Sequence, residues 1–206
     1  MKILRIIALL ALAASPPALA DEAGDLVFAE RGPWDLSNGP LTWNISQQGP
    51  EVEGFKPLGQ GTIVLSQGVD PSDGKPILQL SEETLRIKRK IGPFPVSGGD
   101  PSLTFFLETA ARDMAALTGG SPFYIRNRLK DALFRGGKLV EEDGRKVAVF
   151  LPFEEDANKE RMFGFEALEL RFTLEDEGKE PIRRMIARTG PLAGGQPAYV
   201  VEMVLQ

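Results

Sequence analysis

The sequence predicts an α+β fold: a curved, mostly antiparallel β-sheet packed on a central helical hairpin at about residues 101–135. Three observations lead there. Between Asp100 and Gly137 the chain carries two consecutive helix signatures, each with its own start and stop. On both sides of that stretch, apolar and polar residues alternate with a period of two in short runs. The turns between consecutive runs are short, which antiparallel neighbours permit and parallel crossovers do not.

The N-terminus comes first in the chain and gives an address. Lys2 and Arg5 precede or interrupt an almost continuous apolar run from Ile3 to Ala13, Pro16-Pro17 breaks it, and Ala18-Leu19-Ala20 offers small residues for cleavage before Asp21. Residues 1–20 therefore read as a cleavable secretory signal peptide, and 21–206 as a single β-rich domain with an inserted helix pair. The expected localisation is periplasmic or secreted. The apolar run is shorter than the roughly 20 residues a membrane-spanning helix needs, so no transmembrane span is expected after cleavage.

Asp25 to Ala29 suggests a short strand or a pad of contact residues. A turn-rich segment with Gly32-Pro33 and Asn38-Gly39-Pro40 follows. Leu41, Trp43 and Ile45 then alternate with Thr42, Asn44 and Ser46 as a half-buried strand. Further strands are expected at 61–67 and 76–80, separated by Asp70-Pro71-Ser72-Asp73-Gly74. That run reads as a turn, because it lacks the distal Glu of a calcium loop. A strand is expected at 84–91, with Leu85, Ile87 and Ile91 on one side, Arg86, Lys88 and Lys90 on the other, and Arg89 interrupting the apolar side.

The helices are the most explicit elements. Asp100 is a good N-cap, Pro101 suits the first helical position, and Gly119-Gly120 ends the helix. Leu103, Phe106, Leu107, Ala110, Met114 and Leu117 form its apolar stripe. Ser121-Pro122 repeats the signature, Gly136-Gly137 ends it, and Ile125, Leu129, Ala132 and Leu133 share one side of the second helix. A hairpin about Asp143-Gly144 follows, then strands at 165–175, 182–188 and 198–205. The total is eight to nine strands.

Composition narrows the chemistry. The chain has 206 residues, no Cys and no His. Histidine- and thiol-based nucleophile systems, the usual zinc sites and haem ligation by His or Cys are thus excluded, and no disulfide supports the fold. Of 24 basic residues Lys2 and Arg5 leave with the signal, so 22 face 29 acidic residues and the mature net charge is −7. That balance argues against nucleic acid as a partner. No cofactor or metal is expected.

The functional expectation is an exported soluble non-catalytic protein. It would bind an apolar or amphiphilic ligand such as a lipid, or a cell-envelope partner, between sheet and helices. Phe105, Phe106, Met114 and Tyr124 would line the mouth, and Arg126, Arg128 and Lys130 would meet an anionic headgroup. Two alternatives remain open: a structural or assembly protein of the envelope, and a carboxylate-dependent hydrolase. The hydrolase would draw on the acidic runs Glu82-Glu83, Glu141-Glu142-Asp143, Glu154-Glu155-Asp156 and Glu175-Asp176-Glu177. No motif assigns the chain to a family.

Overall fold

A computed structural model describes residues 22–175 and 179–206. The expected signal peptide lies outside the described residues, as do Asp176 and Glu177 of the last acidic run. Nine strands form one antiparallel sheet: β1 (Leu41–Gln48), β2 (Gly59–Val69), β3 (Pro76–Thr84), β4 (Lys88–Pro95), β5 (Lys138–Glu142), β6 (Arg145–Phe150), β7 (Glu169–Leu174), β8 (Arg184–Arg188) and β9 (Val200–Leu205). Their spatial order is β4-β3-β2-β1-β9-β8-β7-β6-β5. The sheet is curved and open, with β4 and β5 as its edges. Among the described residues three α-helices accompany it: α1 (Glu22–Val27), α2 (Pro101–Thr118) and α3 (Pro122–Arg135).

This strand order explains why the helical pair occupies the inner face. The link from β4 to β5 must connect opposite edges, and eight gaps of about 4.8 Å make a flat sheet of this size roughly 38 Å wide. An 18-residue helix covers about 27 Å, and curvature brings the edges closer. The chain crosses the sheet as helix, burying an apolar stripe as it goes.

Local chemistry fixes both helices where the sequence places them. Asp100 Oδ1 accepts hydrogen bonds from Ser102 N at 2.8 Å and Leu103 N at 3.1 Å. Gly119 closes α2 in the left-handed region at φ 69°, its N–H donating to Ala115 O. Ser121 caps α3 and Pro122 opens it. Asp143 and Gly144, at φ 51° and 72°, make the hairpin turn between β5 and β6.

The inner face follows from register. Ile45 stands opposite Met203, Met203 opposite Met185, Met185 opposite Phe172 and Phe172 opposite Ala148, so one apolar row crosses five strands. Phe106 of α2 meets Phe172 edge-on, with ring centroids 5.9 Å apart. Trp43 is fully buried and donates its indole N–H to Ile182 O. Among the described residues no helix is long and apolar enough to cross a membrane.

Three local expectations are corrected. Residues 22–27 are helical, where 25–29 suggested a strand or contact pad. Gly24 permits that packing, because a Cβ there would lie 2.3 Å from Leu133 O of α3. The strand expected at 84–91 is a turn for its first part: β3 runs on to Thr84, Leu85 is 93% exposed, and β4 begins at Lys88. Thr84 Oγ1 holds that turn by accepting from Arg86 N and Ile87 N. The long strand expected from residue 165 starts only at Glu169, because Phe165–Ala167 forms a turn of 3₁₀ helix.

Candidate functional site

The helices make their main strand contacts with β5–β8: α2 crosses β8, and α1 rests on β5, β6 and β7. The β1–β4 half of the inner face extends past this cover. Between it and α2 lies a cavity of about 480 Å³, within the 300–1,000 Å³ range of small-molecule sites. Its apolar walls come from Phe55 and Leu58 of the β1–β2 loop, Ile91 and Phe94 of β4, and Phe105 of α2. Thr109, Asp113 and Ala116 continue the wall along α2 at helical spacing.

Two polar side chains stand on this inner face in otherwise apolar rows. Gln47 faces Val201 in register and continues the series Trp43, Ile45, Gln47. Glu82 continues Leu78, Leu80, Glu82, and its cross-strand neighbours are Ile63 and Arg89. Glu82 is 1% exposed. Its Oε2 accepts from Arg89 Nε at 2.6 Å, while Oε1 is buried with no hydrogen-bond partner. Opposite the strands, Asp113 Oδ2 accepts from Tyr199 Oη at 2.7 Å and Gln47 Nε2 at 2.5 Å. Gln47 Oε1 in turn accepts from Leu58 N, which ties the β1–β2 loop to the same network.

These surroundings alter titration. Burial pushes the Asp113 carboxyl up to about 6, the hydrogen bonds from Tyr199 and Gln47 oppose that, and the charge of Glu82 adds to it. Burial also pushes the Tyr199 phenol well above its ordinary value, with Asp113 adding to the effect. Tyr199 therefore remains a hydrogen-bond donor throughout the neutral range. At the rim, Glu108 binds both Arg112 and Arg126. The Arg126 hydrogen bond is the largest influence on Glu108, and with Arg112 it outweighs burial and lowers the carboxyl.

The residues expected to line the mouth fall in four places. Phe105 lies on the cavity wall. Phe106 and Met114, on the adjoining side of α2, are buried in the core. Arg126 and Lys130 line a separate outer groove with Phe28, Leu107, Leu129 and Phe134, where Phe28 stacks on Phe134 at 4.5 Å. Tyr124 and Arg128 are engaged at Asp156: Tyr124 Oη donates to its carboxylate at 2.8 Å, and Arg128 Nε pairs with Oδ2 at 2.7 Å. Burial raises the Asp156 carboxyl, but hydrogen bonds from Asn158 N and Tyr124 and the charge of Arg128 outweigh it and the net shift is downward. This triad fastens α3 to the 154–161 connection. Tyr124→Phe is expected to cost about 2 kcal/mol, the scale of a hydrogen bond to a charged group, measured as a lower urea midpoint. An unchanged midpoint would remove the tie.

Residue type singled out Glu82 only as part of an acidic run for the hydrolase alternative, and Asp113, Gln47 and Arg89 not as a site at all, yet periodicity carried a signal for each. Glu82 and Gln47 fall two residues after inward-facing apolar positions. Asp113 lies three residues after Ala110, at the edge of the α2 stripe, and Arg89 interrupts an apolar alternation. Of the acidic runs, Glu82 reaches the cavity, Asp156 is buried under Tyr124, and Glu142 pairs with Arg171. Among the described residues no group of three or more Asp or Glu is placed to hold a metal ion. Compared with known proteins, the chain matches no family model, no curated protein and no solved structure.

Proposed function

We propose that the protein is an exported, non-catalytic binding protein that holds an apolar or amphiphilic ligand in the cavity between α2 and the β1–β4 half of the sheet. The observation that carries this reading is the cavity itself: about 480 Å³, walled by Phe55, Leu58, Ile91, Phe94 and Phe105, with a few convergent polar groups at one side. Apolar walls of this extent left to water are a cost that an apolar ligand would remove. The export signature at residues 1–20 supplies the address.

Two features weigh against the alternatives. Assembly by strand addition needs an inviting sheet edge, but β4 presents Lys88, Arg89, Lys90, Pro93 and Pro95, and β5 presents Lys138, Glu141 and Glu142. Charges and prolines at an edge discourage pairing. A hydrolase built on the acidic runs needs two of them on one cleft wall, whereas Glu82, Glu142 and Asp156 occupy three separate sites.

The test is occupancy. The protein purified from an exporting host is extracted for bound amphiphiles by mass spectrometry, then titrated with N-phenyl-1-naphthylamine. Thr109, on the cavity wall, is replaced by Trp to fill the space. The wild type is expected to bind the probe, and Thr109→Trp to bind it at least about tenfold more weakly, a loss of about 1.4 kcal/mol, with an unchanged circular dichroism spectrum. Equal binding by a folded Thr109→Trp protein would refute the site.

A further inference from the structure

We propose that the ligand's polar end is a hydrogen-bond donor, an ammonium or hydroxyl group, seated against Glu82; this rests on the cavity being the binding site for an amphiphile. Glu82 belongs to the inner face by register, between Ile63 and Arg89, and is almost wholly removed from water. One of its oxygens takes Arg89 and the other takes nothing. A buried carboxylate oxygen without a donor is unfavourable and rare in native folds. Glu82 lines the cavity, and a donor there would meet that oxygen once the side chain turns it from its buried position toward the cavity.

The neighbours determine which ligand can supply that donor. Asp113 borders the same cavity and also accepts rather than donates, so the deep polar side carries two carboxyl groups. Arg112 and Arg126 are both held by Glu108, and Arg89 is held by Glu82. Lys56 lines the same space from the β1–β2 loop. A fatty-acid carboxylate would bring a third acceptor to Glu82 and Asp113, with no donor of its own. An amine or alcohol of equal chain length would fill the vacant hydrogen bond, and sites built around a specific hydrogen bond reject analogues that cannot make it.

Dodecylamine, dodecanol and dodecanoate, matched in chain length, are compared at pH 8 as displacers of N-phenyl-1-naphthylamine from the full protein. The amine and the alcohol are expected to displace the probe at concentrations about tenfold or more below dodecanoate, the scale of one hydrogen bond to a charged group. Glu82→Leu should retain the probe and remove the lead of the amine and the alcohol over dodecanoate, which the freed Arg89 guanidinium would then favour. If Glu82→Leu fails to fold, the near-isosteric Glu82→Gln serves: it keeps an acceptor without charge, so the alcohol should still outperform dodecanoate while the amine loses its lead over the alcohol. Dodecanoate binding to the wild type as tightly as dodecylamine, a donor preference that survives in folded Glu82→Leu, or an amine lead over the alcohol that survives in Glu82→Gln would overturn the proposal while leaving amphiphile binding in place. Failure of every displacer, with no probe binding, would overturn the binding reading and this proposal together.

Discussion

Arg31→Ala is expected to destabilise the fold by about 3–5 kcal/mol, the cost of removing one partner from a buried charge pair. The Arg31 side chain is 1% exposed and links three parts of the chain. Its guanidinium donates to the carbonyls of Leu26, Val27 and Ala29 at the end of α1, and to Glu180 O in the segment before β8. It also lies 3.8 Å from Asp100 Oδ2, the oxygen of the α2 cap that makes no hydrogen bond. Burial lowers the Arg31 pKa and Asp100 opposes the shift, but arginine stays charged in water and in proteins alike. Truncation would leave a buried carboxylate oxygen uncompensated and expose the unpaired end of α1. Arg31→Lys should recover only part of the loss, because one ammonium cannot reproduce a planar fork of donors. Urea unfolding of the three proteins decides it; an Arg31→Ala midpoint near the wild type would show that the cluster contributes nothing.

The second large effect has the opposite sign. Asp113→Asn is expected to stabilise the protein by about 2 kcal/mol at pH 8 and to leave it nearly unchanged at pH 4. The Asp113 carboxyl titrates at about 6 in the folded protein against an ordinary value of 3.8. A raised carboxyl binds its proton more tightly when folded, so its ionisation opposes folding. Its penalty is absent below the unfolded value, grows as pH rises from about 4 to about 6, and is complete above that. The full shift corresponds to about 3 kcal/mol, reduced here because the group is only partly shielded from water. Asparagine keeps an oxygen for Tyr199 and Gln47 and removes the charge. Melting temperatures followed from pH 4 to pH 8 should therefore fall for the wild type relative to the variant across that window. A variant less stable than wild type at pH 8 would contradict the assignment.

The helical hairpin was legible because its signals are local. A cap, a proline and a terminal glycine each act within one turn, so Asp100, Pro101 and Gly119 specify α2 without reference to the sheet. The regular strands were legible for a similar reason: alternation at Trp43 and Ile45 reports one buried face. Where alternation or composition misled, either a distant partner or a side-chain-held turn had intervened. Helix α1 depends on close approach to Leu133 and on the three hydrogen bonds from Arg31 to the carbonyls at its end. The 84–91 segment alternates like a strand, but Thr84 captures two backbone N–H groups and turns the chain.

The cavity residues were harder to find because each belongs to a pattern that residue type alone assigns elsewhere. Glu82 beside Glu83 resembles a solvated strand end, and only the β3 register places it inward. Tyr124 and Arg128 resemble a ligand grip, but Asp156, some thirty residues away in sequence, holds both.

By itself the amino-acid sequence determined the α+β class, the hairpin of helices, the alternating strands and the absence of thiol and imidazole chemistry, since all of these depend on residue identity or on contacts within a turn. The pairing of the first and last strands at the sheet centre, the uncovered β1–β4 half and the meeting of Glu82 with Asp113 were decided only by tertiary structure. They depend on register and on a crossing between opposite sheet edges, and a one-residue slip of β3 would turn Glu82 to the solvent.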